Sequence, residues 1–223
     1  MAHDTVAPMS APSSGQEPPV TPVPEGHYFS SGPTSASRPG RVRLDLPERS
    51  LELATDAGVF SPGRVDPGTK LLLMELPELT EGPVVDVGCG YGPIACTVAL
   101  RQPELSVLAV DVNPRARELC ERNARALGTS VVVLDPDQAT EVGQVGTIVS
   151  NPPIRIGKAA LHQLMAVWLD RLAPEGRAHL VVHKNLGADS LARWMTDRGH
   201  AVERVRSRQG YRILSVGPAT APR

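Results

Sequence analysis

Aromatic residues make up only 3% of this chain, lysine occurs only as Lys70, Lys158 and Lys184, and cysteine only as Cys89, Cys96 and Cys120. No apolar run reaches the ~18 residues that a membrane span needs. Met1–Val20 lacks the basic stretch followed by an apolar one that marks a secretory leader. The three cysteines are odd in number and unclustered, so they read as free thiols of a reducing cytoplasm, with no disulfide framework and no metal site. A formal net charge of -1 excludes a strongly polycationic nucleic-acid binder and leaves room for a local basic face.

What is abundant is proline, with 22 residues, and eight of them fall within the first 40 positions. Residues 1–25 are rich in Pro, Ser, Ala and Thr without apolar periodicity, the composition of a disordered tail. Residues 26–217 are long enough to bury one core without staples. Order is expected from His27-Tyr28-Phe29 onward, with two short strands, Arg41–Leu46 and Leu51–Thr55, joined by a turn at Pro47–Ser50. A helix follows from Lys70, so residues 26–80 form an N-terminal hairpin and loop, and residues 81–217 form the core. In that core strands are expected at Val84–Val87, Ser106–Val110, Val131–Leu134, Thr147–Ser150, Ala178–Val182, Val202–Val205 and Arg212–Val216. Helices begin at Pro93, Pro114, Ala159 and Ala188. Strands alternating with helices predict an α/β fold around a mostly parallel seven-stranded sheet that closes with an antiparallel C-terminal hairpin.

The most informative local string is Val84-Val85-Asp86-Val87-Gly88-Cys89-Gly90-Tyr91-Gly92-Pro93. Glycines let the backbone turn sharply after a strand and approach a ligand closely. Proline at 93 and an acid two residues before Gly88 depart from the dinucleotide fingerprint and favour a nucleoside–amino-acid ligand over a pyrophosphate. Asp111 ends the next strand, where a carboxylate can accept hydrogen bonds from both ribose hydroxyls; capping the helix that follows is its alternative role. A third acid is expected at the end of the strand after that. Asp135 and Asp137 both qualify, and Asp135 is preferred because it directly follows Leu134.

At the end of the fourth core strand, Ile148-Val149-Ser150 runs into Asn151-Pro152-Pro153-Ile154. Ligands of open α/β sheets bind outside the carboxyl ends of the strands, and this string is there. Two prolines fix φ and remove two donors. The result is a rigid backbone carbonyl beside an Asn side chain, a pair of acceptors suited to an –NH2 group.

The order Asp86-Val-Gly-Cys-Gly, Asp111, Asn151-Pro-Pro resembles class I S-adenosylmethionine-dependent methyltransferases that modify planar amino groups. Gly58-Val-Phe-Ser-Pro-Gly-Arg-Val-Asp-Pro-Gly-Thr-Lys-Leu-Leu resembles the segment before the glycine turn in the methyltransferase small domain family, which includes 16S rRNA guanine-N2 methyltransferases. His27-Tyr-Phe-Ser, Asn151-Pro-Pro-Ile-Arg-Ile-Gly-Lys and Gly210-Tyr-Arg-Ile-Leu are similar to a stand-alone branch of it. The resemblance covers residues 26–217. It implies a Rossmann-like class I methyltransferase fold and S-adenosylmethionine as cofactor. The implied cofactor contacts are Asp86, Gly88, Cys89, Gly90, Gly92, Asp111, Val112, Asp135, Asn151, Phe60 and Lys70. Asn151, Pro152 and Pro153 would carry catalysis, and Ile154, Arg155, Lys158 and Arg212 would contact substrate. Many relatives place an aromatic ring after the second proline; Ile154 stands there instead, so Phe60, Tyr28 or Phe29 would have to supply a stacking surface.

The implied reaction is direct displacement, in which an exocyclic nitrogen attacks a sulfonium methyl. Alignment is the protein's main task. No strong base is required, and His162 and His183 are read as structural or as substrate contacts. An RNA substrate, with ribosomal RNA and guanine N2 favoured, needs cations: seven arginines against Asp197 and Glu203 lie between Arg193 and Arg223. Arg155 and Lys158 lie beside the Asn-Pro-Pro string, and Arg38, Arg41 and Arg43 flank the first strand. Nothing in the spacing selects guanine N2 over adenine N6. A glutamine side-chain amide in a protein, or a small-molecule amine, are the alternative substrates. A cytoplasmic monomer is favoured.

Overall fold

The computed structural model describes Met1 and residues 35–220, so the Pro-rich tail and the His27–Phe29 cluster lie outside the described residues. β1 (Gly40–Asp45) and β2 (Ser50–Thr55) form an antiparallel hairpin in the register Gly40↔Thr55 to Asp45↔Ser50. The alternation explains it. Val42, Leu44, Leu51 and Leu53 turn inward and are buried, while Arg41 and Glu52 pair across the outer face at 3.6 Å.

After the hairpin, α1 (Pro67–Glu75) leads to β3 (Val84–Val87), α2 (Pro93–Arg101), β4 (Val107–Val110), α3 (Pro114–Ala126), β5 (Val132–Leu134) and β6 (Val145–Ser150). α4 (Lys158–Leu169), β7 (Leu172–His183), α5 (Ala188–Asp197), β8 (His200–Arg208) and β9 (Tyr211–Ala219) complete the chain. α1, α2 and α3 all begin on proline, whose fixed φ and missing donor suit the first helical position. The main sheet has seven strands in the order β5-β4-β3-β6-β7-β9-β8, with β9 antiparallel to both neighbours and the rest of the central pairs parallel. Gln209 at φ 51 and Gly210 at φ 84 make the two-residue turn between β8 and β9, left-handed at both positions as strand twist demands.

The α/β fold with its antiparallel end and N-terminal hairpin is as the sequence predicts. β7 starts six residues before the expected Ala178, because Leu172–Arg177 pair past a register shift opposite Val145 and Thr147. Two apolar layers cover the sheet. On one face α1, α2, α3 and the hairpin bury Leu72, Leu73, Ile94, Leu119, Leu44 and Leu53; on the other, α4 and α5 bury Leu161, Met165, Trp168, Leu191 and Met195. Among the described residues no helix is long and apolar enough to cross a membrane.

Candidate functional site

Strand register aligns the predicted residues. Val87 pairs with Val110 and Val110 with Leu134, while Asp86 pairs with Val149. One step further along, Asn151, Gly88, Asp111 and Asp135 therefore form a single row across the carboxyl edge of β6, β3, β4 and β5. Three strand spacings make that row about 14 Å long, the reach of a nucleoside carrying an amino-acid arm. Asp137 lies beyond the row, exposed at the start of a short 3-10 turn. Asp135 Oδ1 accepts from the Gln138 amide at 2.9 Å.

The glycine turn sits at the centre of the row. Gly88, Gly90 and Gly92 all have positive φ (77, 55 and 90°). A β-carbon at Gly92 would come within 2.6 Å of the Cys120 sulfur, whereas one at Gly90 would meet open space. Gly92 is thus needed by the packing below, and Gly90 leaves its backbone open to a ligand. Asp111 braces the turn: its Oδ2 accepts from the Gly90 amide and its Oδ1 from the Asn113 amide, both at 2.8 Å. The cap of α3 is Asn113, whose side chain accepts from the Arg115 amide, so Asp111 does not serve as that cap. Burial raises the Asp111 pKa, opposed by these two amides. Arg117 fixes the following loop by donating to the carbonyls of Asp111 and Val112 at 2.8 and 3.1 Å.

Asp86 lies beneath the turn, only 1% exposed. Its Oδ2 accepts from the Ala95 amide at 3.0 Å, and its Oδ1 has no hydrogen-bond partner. Burial pushes its pKa up to about 8, against the Ala95 amide and with help from the charge on Asp111. A buried carboxylate oxygen without a donor is what an ammonium-bearing ligand would satisfy. Together with the open glycine turn and the row of acids, these residues fit S-adenosylmethionine.

The Asn-Pro-Pro segment closes the other end of the row. Asn151 Nδ2 donates to Asp66 Oδ2 at 3.0 Å and to Thr69 Oγ1 at 2.9 Å. A carboxylate can only accept, so the amide's NH2 end must face Asp66 and its Oδ1 is left free. Pro153, at φ -74 and ψ 73, forms an inverse γ-turn in which the Ile154 amide donates to the Pro152 carbonyl at 2.8 Å. One lone pair of that carbonyl remains. Asn151 shares a small cavity with Phe60, Asp66, Thr69, Gly88, Cys89, Gly90, Tyr91, Pro93 and Ile94. A larger depression, about 300 Å³, is lined by Pro47, Glu48, Leu73, Met74, Arg101 and neighbours and contains none of the row.

Three sequence expectations shift. Arg212 does not reach the row: it is paired with Asp189 at the start of α5, on the other side of β9 from Tyr211. Lys70 does not line the cavity, and its charge is felt by Asp45 of the hairpin, whose carboxyl it helps hold low behind the hydrogen bonds from Ser50 and Arg43. Ile154 packs against the core beneath α4 and α5, while Phe60, 57% exposed, presents its ring at the cavity. Arg155 and Lys158 are exposed, four and seven residues after Asn151. His162 stacks on Trp194 at 4.2 Å, a structural role. His183 meets Tyr211 edge to face at 4.9 Å. Sequence reasoning missed Asp66, Thr69, Tyr91 and Tyr211. The Asp-Pro-Gly-Thr string is a readable helix cap, but nothing local ties it to Asn151.

The profile described as "Methyltransferase small domain" matches residues 50–215. An uncharacterized protein of Bacillus subtilis is 34% identical over 194 residues, 84% of this chain and 96% of that protein. The ribosomal RNA small subunit methyltransferase C of Shewanella halifaxensis is 35% identical over 151 residues, 66% of this chain; the chain spans 44% of that enzyme's length. Among solved structures, the T. thermophilus 16S rRNA N2 methyltransferase in complex with AdoMet and guanosine superimposes with a TM-score of 0.68 at 24% identity, covering 81% of this chain and 50% of that one.

Proposed function

The chain belongs to the methyltransferase small domain family and is an S-adenosylmethionine-dependent methyltransferase, and from that premise we propose that it methylates an exocyclic amino group of a base in RNA. Ribosomal RNA is the favoured substrate and guanine N2 the favoured atom, in line with the names of the Shewanella relative and the T. thermophilus neighbour; such a role is cytoplasmic. The observation that carries this reading is the state of Asn151. Its NH2 is engaged by Asp66 and Thr69, so it offers an acceptor, beside the remaining lone pair of Pro152.

Bound S-adenosylmethionine supplies a methyl group already activated on a positively charged sulfur. The residues that would hold it are Asp86 and the Gly88–Gly92 turn for the amino-acid arm, Asp111 for the ribose and Asp135 for the base. Asn151 Oδ1 and the Pro152 carbonyl accept the two N–H bonds of the substrate amine. That twists the nitrogen lone pair out of the base plane and aims it at the methyl. Holding the partners in attack geometry can supply roughly 7–11 kcal/mol of the barrier. The amine becomes acidic only once it is methylated, so its proton can leave to water without a strong base. Phe60 offers the ring on which a base turned out of its stack can rest, worth about 1–3 kcal/mol. Arg155 and Lys158 would meet the phosphates.

Incubation with methyl-labelled cofactor and separated fractions tests the assignment. Label is expected in RNA, within the small-subunit ribosomal RNA, and absent after Asn151→Ala. Label in protein and none in RNA would replace this reading with side-chain amide methylation.

A further inference from the structure

We propose that Asp66 is a positioning residue that sets the direction of the Asn151 amide, with Tyr211 holding Asp66 in place; this rests on the reading of Asn151 as the acceptor for the substrate amine. Asp66 and Asn151 are 85 residues apart in sequence and belong to different elements, the cap of α1 and the end of β6. A single oxygen of Asp66, Oδ2, accepts both the Thr69 amide at 3.0 Å and Asn151 Nδ2 at 3.0 Å. Thr69, itself buried, adds its hydroxyl oxygen at 2.9 Å from the same Nδ2.

The two ends of an Asn side chain have nearly the same shape and opposite polarity. A hydroxyl such as that of Thr69 can serve either end, because it both donates and accepts. Only the carboxylate discriminates, since it cannot donate. If the amide turned over, it would present NH2 to a substrate NH2 and two donors would face each other. Asp66 therefore decides whether the site accepts an amine or repels it.

Tyr211 packs its ring against the same cap. It begins β9, and burial together with the charge on Asp66 raises its phenol pKa. Its ring occupies the space a side chain at residue 68 would need: a β-carbon on Gly68 would lie 2.5 Å from Tyr211 Cε1 and 2.9 Å from Asp66 Oδ2. The glycine of Asp-Pro-Gly-Thr thus makes room for the ring against the cap. His183 packs edge-on behind that ring.

The test separates orientation from folding. Asp66→Ser keeps a good helix cap, yet replaces the carboxylate by a hydroxyl that can serve either end of Asn151. Asp66→Asn retains an oxygen at the capping position that accepts from Thr69 and from Asn151, and acts as the rescuing variant. In the full-length protein, isotope-labelled and saturated with S-adenosylmethionine, the Asn151 side-chain NH2 signals are identified by their loss in Asn151→Ala. Asp66→Ser should move those signals strongly and Asp66→Asn little, with unchanged S-adenosylmethionine affinity in calorimetry. On unmodified small-subunit ribosomal RNA, kcat should fall about 10- to 100-fold in Asp66→Ser and largely return in Asp66→Asn. Unmoved NH2 signals in Asp66→Ser, or equal losses of kcat in both variants, would overturn the proposal. If Asn151→Ala leaves methyl transfer intact, the reading of Asn151 fails instead, while the NH2 signals still decide whether Asp66 orients it.

Discussion

The Asp86 carboxyl group, 1% exposed and with one oxygen unpartnered, has its pKa raised by burial to about 8, at a cost to the folded chain. The sign follows from linkage. Asp86 titrates near pH 4 in the unfolded chain and near pH 8 in the folded one. Between those values the folded chain holds a proton that the unfolded chain has released, so stability falls as pH rises through that window. Asp86→Asn removes the titration at nearly constant shape. Melting curves of the unliganded protein should show the variant equal to the parent at about pH 4 or below and progressively more stable as pH rises toward 8, at about 2–4 °C per kcal/mol for a chain of this size. Two Tm profiles that stay parallel from pH 5 to 8 would show that Asp86 does not titrate in that range. Above pH 8, where Asp86 is ionised, the same variant should bind S-adenosylmethionine more weakly, because the carboxylate offered to its ammonium group is replaced by a neutral amide.

Between elements, one buried side chain ties the hairpin to the glycine turn. Asn123 of α3 accepts from the Ala54 amide at 2.8 Å, donates to the Ala54 carbonyl at 2.9 Å and donates to the Tyr91 carbonyl at 2.8 Å. β2 and the glycine turn are thus held through one amide that is 2% exposed. Asn123→Ala leaves three backbone groups without partners. Each unsatisfied buried group costs about 1–3 kcal/mol, so a Tm drop of roughly 6–12 °C is expected if the total loss is near 3 kcal/mol. S-adenosylmethionine affinity should fall with it, since Tyr91 belongs to the turn; a loss of stability without loss of affinity would uncouple the two elements. This tie also marks how far the sequence could be read. Asp111, Asn151 and the Gly88–Gly92 turn carry their chemistry in local spacing, and strand ends brought them into one row. The Asn123, Asp66 and Tyr211 contacts join residues 32 to 85 or more positions apart, with no periodicity to announce them. Asp135 directly follows β5 and shares the row, whereas the packing of Ile154 under α4 and α5 and the pairing of Arg212 with Asp189 are tertiary contacts that spacing does not announce.

Over the whole molecule, part of the basic excess near the C-terminus is paired within the fold. Arg198 pairs with Asp170, Arg206 with Glu75, and Arg204 and Arg212 share Asp189, all carboxylates from other elements. Exposed pairs of this kind stabilise little, but each carboxylate cancels part of the field that would draw a phosphate. Arg155 and Lys158 differ. They stand exposed four and seven residues after Asn151, with no carboxylate within ion-pair distance among the described residues. The net charge of -1 therefore conceals two unpaired cations close in sequence to the proposed catalytic Asn151. Each phosphate contact contributes about 0.7 to the slope of log affinity against log salt for a single strand. Replacing both Arg155 and Lys158 by Gln should lower that slope by roughly 1.4 if each meets one phosphate, and should weaken RNA binding most at low salt while leaving S-adenosylmethionine affinity unchanged. Replacing Arg204 and Arg206 by Gln should alter the slope far less, because their charges are already matched. A larger drop from the β8 pair than from Arg155 and Lys158 would move the RNA path away from the Asn-Pro-Pro loop and onto the edge strand.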